Sequence, residues 1–369
     1  MRSRVAIMGI GSTAISRDNE RSVASYALEA AINAVADAGL TLDDIDGLLG
    51  CPGAPNASAV HGDGADEISA RSLAGQLGLR NLSWLSDLGG MAIDMAVSGR
   101  QSILAGDCAY VLGVRAHYFL ADRTYSAARS GAVHGDAQFT LPFGYGPAGT
   151  RFATRMQRYF TQYALTREDL YPVIQLSREN ARLNEHAFWR LAPVPTLEDY
   201  LTARPISEPL GLLDCDLPVC GASAFVMSSG PRAKDGPHDP AYLAGVANWT
   251  MDDDVFERSG ISRSDVAVAQ IYDGYSIFVP WMLESLGWCE PGTALARLAS
   301  PHEQLPAINT FGGALGEGRL HGIGHLREGV LQVSGRAGPR QVDSADNALV
   351  QIGSPDRSWQ LMLSREEGS

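Results

Sequence analysis

The chain has 369 residues, 45% of them hydrophobic, and a formal net charge of −13. That length can bury one large core or two medium ones, and two domains are expected. The acidic balance, the absence of basic runs and the lack of an apolar stretch long enough for a bilayer exclude a nucleic-acid binder and a membrane-spanning protein.

Residue usage narrows the chemistry. The five cysteines (Cys51, Cys108, Cys215, Cys220 and Cys289) form no Cys-x-x-Cys pair, so neither a disulfide framework nor structural zinc is expected. Each reads first as a small buried hydrophobe, although Cys51 and Cys289 lie at element ends. The single lysine, Lys234, sits in a turn-like run from Pro231 to Pro237. A Schiff base needs a lysine desolvated in a pocket, so imine chemistry is not expected.

Val5 to Met8 read as a first strand rather than as part of a signal peptide, and a cytoplasmic protein is expected. Gly9-Ile10-Gly11-Ser12-Thr13-Ala14 has the form of a dinucleotide fingerprint, but no helix opens on its glycines and it reads as a turn. A helix from Ser22 to Ala38, ended by Gly39, precedes a second strand after Asp44-Ile45-Asp46. Glu67 to Leu77 reads as a helix, Leu82 to Leu85 as a short strand, Met91 to Leu104 as an amphipathic helix and Ala109 to Val114 as a strand. The last three make a βαβ unit with a right-handed crossover. His117 to Ser207 differs in kind. Its Gly- and aromatic-rich start, including Phe143 to Gly149, turns helical through Arg151 to Ala164 and Leu170 to Ala187, as a lid or binding subdomain would. Asp214 to Met227 returns to the sheet.

The second half echoes the first. Gly39-Leu40-Thr41-Leu42-Asp43-Asp44-Ile45-Asp46 resembles Gly260-Ile261-Ser262-Arg263-Ser264-Asp265-Val266-Ala267, which suggests two similar α/β halves. In that register Tyr272 stands opposite Cys51. Ala307 to Gly313, a helix from about His325 and a strand around Ala348 to Ile352 complete the second copy. The Tyr272-Asp273 pair lies where a buried strand gives way to a helix, a place where α/β enzymes keep chemistry. A plain turn, with Asp273 or Ser276 capping the helix and the tyrosines half buried, accounts for the same residues. His321 and His325 are spaced like a metal pair, but Gly322 and Gly324 argue against a helix there and no third ligand is evident, so no metal is expected.

Taken together, these pieces resemble the thiolase-like proteins of the sterol carrier protein x and lipid-transfer type. The matching segments are Tyr159-Phe160-Thr161-Gln162-Tyr163, Thr166 to Leu170, Thr196 to Tyr200, Arg204 to Leu210, Asp214-Cys215-Asp216, Tyr272-Asp273-Gly274-Tyr275, Asn309-Thr310-Phe311-Gly312-Gly313 and Ser334 to Val342. The resemblance implies a duplicated five-layer αβαβα fold with a helical loop domain over the active site. The halves would be residues 1–116 with 208–237, and 238–369, around a loop domain at 117–207. It also implies a homodimer and acyl-coenzyme A substrates, with coenzyme A as part of the substrate and no tightly bound cofactor.

Where working thiolases place a nucleophilic cysteine, this chain reads Ser86-Asp87-Leu88-Gly89-Gly90. A serine there would need an activating base. The His-Asp-Cys-Phe motif of the sterol carrier thiolases is Tyr272-Asp273-Gly274-Tyr275, and their Gly-His-Pro is Gly318-Arg319-Leu320-His321-Gly322. Loss of the cysteine with gain of a Tyr-Asp pair is similar to the steroid side-chain aldolases of this superfamily, which cleave a β-hydroxyacyl-CoA by a retro-aldol reaction. That chemistry needs a base at the β-hydroxyl and stabilisation of a thioester enolate, and requires neither imine nor metal.

The resemblance gives Tyr272 proton transfer at the hydroxyl and Asp273 the orientation of its loop. His321 would polarise the thioester oxygen or reprotonate the enolate. Gly312, Gly313, Gly89 and Gly90 would offer N–H groups, with Ser86, Asn309 and Arg319 completing the substrate-binding set. A small OB-fold partner with a zinc ribbon is expected. An acyltransferase using Ser86 or a displaced cysteine, and a non-catalytic acyl-CoA-binding scaffold, are the competing expectations.

Overall fold

The computed structural model describes residues 4–18, 20–51, 68–88, 91–118, 133, 135–146, 148–248, 254–300, 305–354 and 357–367. In chain order its strands are β1 (Val5–Ser12), β2 (Gly47–Gly50), β3 (Trp84–Asp87), β4 (Tyr110–His117), β5 (Pro205–Ser207), β6 (Leu210–Gly211), β7 (Gly221–Ser229), β8 (Ala241–Asn248), β9 (Val268–Ile271), β10 (Ala307–Ile308), β11 (Asn347–Ser354) and β12 (Arg357–Ser364). Ten of them form one hydrogen-bonded run, β10-β9-β11-β12-β8-β1-β7-β4-β2-β3, and β5 pairs with β6.

Followed outward from the middle, this run has the same connectivity in both directions. On one side β1 is antiparallel to β7, β7 is antiparallel to β4, and β4 is parallel to β2, which is parallel to β3. On the other, β8, β12, β11, β9 and β10 repeat that order and those senses. The seam between the halves is narrow, with Ala6 opposite Tyr242 and Ile7 opposite Ala241. The repeat therefore equates β2 with β9 and Cys51 with Tyr272, the residues that follow them.

Helices Ala92–Ala105 and Ile323–Val333 touch each other and strands of both halves, so they form a central layer. Helix Val23–Asp37 covers β1, β4 and β7 on one outer face, and Val255–Ser259 covers β8 and β12 on the other. The result is αβαβα. Strands β2 and β9 are buried at every position, which is why neither alternates between polar and apolar residues; the one polar side chain in them, Gln270, donates from Nε2 to Thr310 Oγ1 at 3.0 Å.

Gly9 and Gly11, expected in a turn, lie inside β1. A Cβ on Gly11 would stand 2.1 Å from the Ala30 carbonyl oxygen, so these glycines let the alanine face of helix Val23–Asp37 approach the strand backbone. The strand expected at Leu82–Leu85 is displaced to Trp84–Asp87, and the one expected at Ala109–Val114 runs on to His117. Asp214 to Cys220 does not belong to the sheet, which resumes only at Gly221. Instead it forms a short 3-10 turn at Leu212–Asp214 and an irregular crossing under the site.

Helices Ala148–Tyr163 and Arg167–Arg182 overlap the two expected helices, the second ending before Ala187, and a third, Leu197–Thr202, lies beyond them. From the second of these, Ser177 Oγ donates to the Gly312 carbonyl at 2.6 Å and Asn180 Nδ2 donates to the carbonyls of Ile308 and Asn309 at 3.0 and 3.1 Å. The helical segment thereby fixes the glycine-rich loop. No helix among the described residues is long and apolar enough to cross a membrane.

Candidate active site

The site forms where β2, β4 and β9 end. At the end of β9 the Asn309 side chain replaces a neighbouring strand: Oδ1 accepts from the Ile271 N–H at 2.7 Å and Nδ2 donates to the Ile271 carbonyl at 2.8 Å. Asn309 adopts φ 46°, a left-handed conformation that asparagine tolerates better than most residues. The next N–H, of Tyr272, donates to the Gln351 carbonyl on β11 at 3.0 Å. Tyr272 is thus held at the strand end, with its ring centroid 5.6 Å from that of His325 and 6.5 Å, edge on, from that of His321.

Asp273 is buried and accepts three hydrogen bonds: from Ala314 N–H at 2.7 Å, from Leu315 N–H at 3.2 Å and from His325 Nε2 at 3.0 Å. It caps the one-turn helix Gly313–Gly316, rather than the helix that follows it in sequence. Gly313 has φ 65°, and a Cβ there would lie 2.1 Å from Asp273 Oδ2, so both backbone and space demand glycine. His325 lies on the helix expected to start near it, Ile323–Val333, which takes in Gly324 although the glycines argued against a helix there. Gly322, at φ 87°, ends the preceding turn, and Gly324 within the helix makes room for Glu317 and the Phe311 ring.

His321, at φ 54°, projects from that turn between the two halves. Its ring stacks on His117 from the end of β4, with centroids 5.8 Å apart, and its Nδ1 lies 3.3 Å from Arg115 Nη2. His117 Nδ1 faces the Val219 carbonyl at 2.7 Å, so that nitrogen carries the proton, and Nε2 can accept from Arg319 Nη2 at 3.4 Å. Burial, then the charges of Arg319 and Arg115, push His117 down to about 3, against a weaker opposing effect of the Val219 bond. Burial, with Arg115, Arg319 and His117, likewise holds His321 well below the ordinary histidine range. Both imidazoles are neutral at physiological pH.

Asp216 faces Arg319, with 3.7 Å between Oδ2 and Nε, and its Oδ1 has no hydrogen-bond partner among the described residues. Burial pushes its carboxyl up to about 7; Arg319 opposes the rise and Asp273 adds to it. One turn back, buried Asp214 ties this loop to its surroundings. It accepts from Tyr200 Oη at 2.7 Å, Ser276 Oγ at 2.6 Å and Gly211 N–H at 2.8 Å, so one carboxylate joins the helical segment to the turn after Tyr272.

The structure brings Tyr272, Asp273, His321 and Arg319 into one cluster. Asn309 lies beneath it, with its amide committed to Ile271. Gly312 is corrected as an N–H donor to substrate, because its N–H already donates to the Asn309 carbonyl at 2.8 Å. Gly313 packs against Asp273. Ser86 sits within β3 opposite Leu49, and the following helix begins only at Ala92, so Ser86 is not at a helix start. Gly89 and Gly90 lie outside the described residues.

Sequence reasoning missed Arg115, His117 and Asp216, and it named His325 only as part of a metal pair. Two basic residues inside an otherwise apolar strand were the available signal for the first two. Arg115 also donates from Nη1 to Cys51 Sγ at 2.9 Å, which places that thiol at the edge of the same cluster.

A family model described as "Thiolase C-terminal domain-like" matches residues 251–354. The chain is 30% identical to the steroid side-chain-cleaving aldolase of Thermomonospora curvata over 94% of each protein. It is 29% identical to the 17-hydroxy-3-oxo-4-pregnene-20-carboxyl-CoA lyase of Mycobacterium tuberculosis, over 95% of this chain and 96% of that one. The solved structure of an Ltp2-ChsH2(DUF35) aldolase superposes with a TM-score of 0.82 at 30% identity, covering 98% of this chain and 97% of that one. With its duplicated αβαβα layers and this relationship along nearly its whole length, the chain belongs to the thiolase-like superfamily, lipid-transfer type, in the branch of the steroid side-chain-cleaving aldolases.

Proposed function

We propose that the chain is a carbon–carbon lyase that cleaves a β-hydroxyacyl-CoA, with a steroid side chain or similarly bulky acyl group, to a ketone and a shorter acyl-CoA. The carrying observation is the placement of Tyr272 at the end of β9, facing the rings of both His321 and His325. In the reaction the β-hydroxyl gives up its proton and the bond between the α and β carbons breaks. The electron pair becomes a thioester enolate, whose carbon then takes a proton. Tyr272 is the group that moves the proton at the hydroxyl. Asp273 and His325 hold the turn that presents it, and His321 faces the thioester oxygen where charge develops.

Coenzyme A enters as part of the substrate, and no bound cofactor is part of the proposal. The similarity to an Ltp2-ChsH2(DUF35) aldolase supports a partner protein; the proposal makes it a small OB-fold zinc-ribbon protein, bound to a homodimer of this chain. The proposal includes a cytoplasmic location and the division into halves 1–116 with 208–237, and 238–369, around a loop domain at 117–207. Incubating the purified chain, with and without an OB-fold partner, with β-hydroxyacyl-CoA tests the reading. Ketone and shorter acyl-CoA in equal amounts are expected, and no cleavage under either condition would sink it.

A second reading, acyl transfer, is favoured by one contact, that of Arg115 Nη1 with Cys51 Sγ at 2.9 Å, which puts a thiol at the edge of the site. A labelled acyl group trapped on Cys51 would favour it over the lyase.

A further inference from the structure

We infer that Arg115 is a positioning residue for this cleavage: it sets His321 as a neutral imidazole with its proton on Nε2, so that the ring offers a donor and not a base. The inference rests on the lyase reading of the site and adds to it a residue from the opposite half of the fold.

An arginine side chain has only donors. With Arg115 Nη2 3.3 Å from His321 Nδ1, the nitrogen on that side must be the acceptor, and the ring proton must sit on Nε2. Among the described residues this is the one side-chain hydrogen bond of His321, and the residue keeps part of its surface exposed, so Nε2–H remains for a substrate oxygen. Arg115 is itself anchored: it is buried on β4 and its other terminal nitrogen donates to Cys51. The fork thus spans the end of β2 and the turn carrying His321, 206 residues away in sequence.

The neighbours support the same state. His321 is faced by Arg115, Arg319, the neutral ring of His117 and the edge of Tyr272; Asp216 stands behind Arg319. Two nearby guanidinium groups oppose an imidazolium. A neutral donor suits an enolate oxygen, since it stabilises developing charge without exchanging a proton with the Tyr272 step.

The test is nitrogen NMR of histidine-labelled full-length chain, with the His321 signals assigned from His321→Gln, alongside the cleavage assay. In the wild type His321 is expected as the neutral Nε2–H tautomer at physiological pH. Arg115→Gln keeps a donor but removes the charge, so the tautomer should persist while the ring titrates at higher pH. Arg115→Met removes both; it should give mixed tautomers and lower kcat by about tenfold to a hundredfold with KM little changed. A wild-type ring protonated on Nδ1, or an Arg115→Met chain with unchanged tautomer and kcat, would overturn the inference. If Arg115→Met does not fold, the wild-type and Arg115→Gln spectra decide. The expected tautomer in a wild-type chain that cleaves nothing, with its partner present, would support the Arg115–His321 coupling and count against the lyase reading alone.

Discussion

Asp273 and His325, 52 residues apart, meet with 3.0 Å between Oδ1 and Nε2, and the same carboxylate caps the turn at Gly313. The pair joins the end of β9 to the central helix Ile323–Val333. Asp273→Asn retains the shape but loses the charge that three donors address. It should cost roughly 2 to 4 kcal/mol of stability, read by denaturant unfolding, and lower kcat through displacement of Tyr272. Unchanged stability would show that the neutral amide satisfies the same donors.

Tyr272→Phe removes one oxygen from a side chain whose backbone N–H, held by Gln351, stays in place. Cleavage should fall by about a hundredfold or more, with the melting temperature nearly unchanged. Full retention of activity would remove Tyr272 from proton transfer and leave it a packing residue between Phe278 and His325.

Gly313→Ala places a methyl group 2.1 Å from Asp273 Oδ2 in a left-handed turn at φ 65°. Strain and displacement together should cost about 2 to 4 kcal/mol and reduce activity along with stability. Gly78→Ala is the control, since it is also left-handed, at φ 68°, but nothing lies within 4 Å of a Cβ there. It should cost about 1 kcal/mol and leave kcat alone.

Asp216 gives a pH signature. Its folded pKa is raised from 3.8 to about 7, so its contribution to stability is fully present below the unfolded value and is lost as pH rises through the folded one. The stability difference between wild type and Asp216→Asn should therefore decline between those two values. His117 runs the other way: its pKa is lowered to about 3, and its contribution is lost as pH falls from 6.5 toward that value. Unfolding curves across this window separate the two, because only the Asp216 slope disappears in the Asn variant.

Much of the frame was legible in the sequence for a simple reason. Buried parallel strands such as Gly47–Gly50 and Val268–Ile271 show no polar alternation, and their repeat at matching distances from Gly39 and Gly260 marked both halves. The Tyr272–Cys51 equivalence followed from that register. The cationic side of the site was hidden because the fourth strand seemed to stop at Val114, one residue short of Arg115. The partners of Arg115 and His117 come from His321, Val219 and Arg319, at separations no local pattern reports. Gly9 and Gly11 misled in the opposite way: their spacing imitates a phosphate loop, whereas the cause is contact with Ala30 and Ala34.

The mirrored strand order does not extend to the chemistry at the strand tips. Sister strands in matching places end in a thiol beside a guanidinium at Cys51 and in a phenol beside two imidazoles at Tyr272. The two halves supply different chemistry to one site. Exchanging the two tips, Cys51→Tyr with Tyr272→Cys, would not regenerate the site in reflection, because Arg115 and His321 have no twins in the matching places.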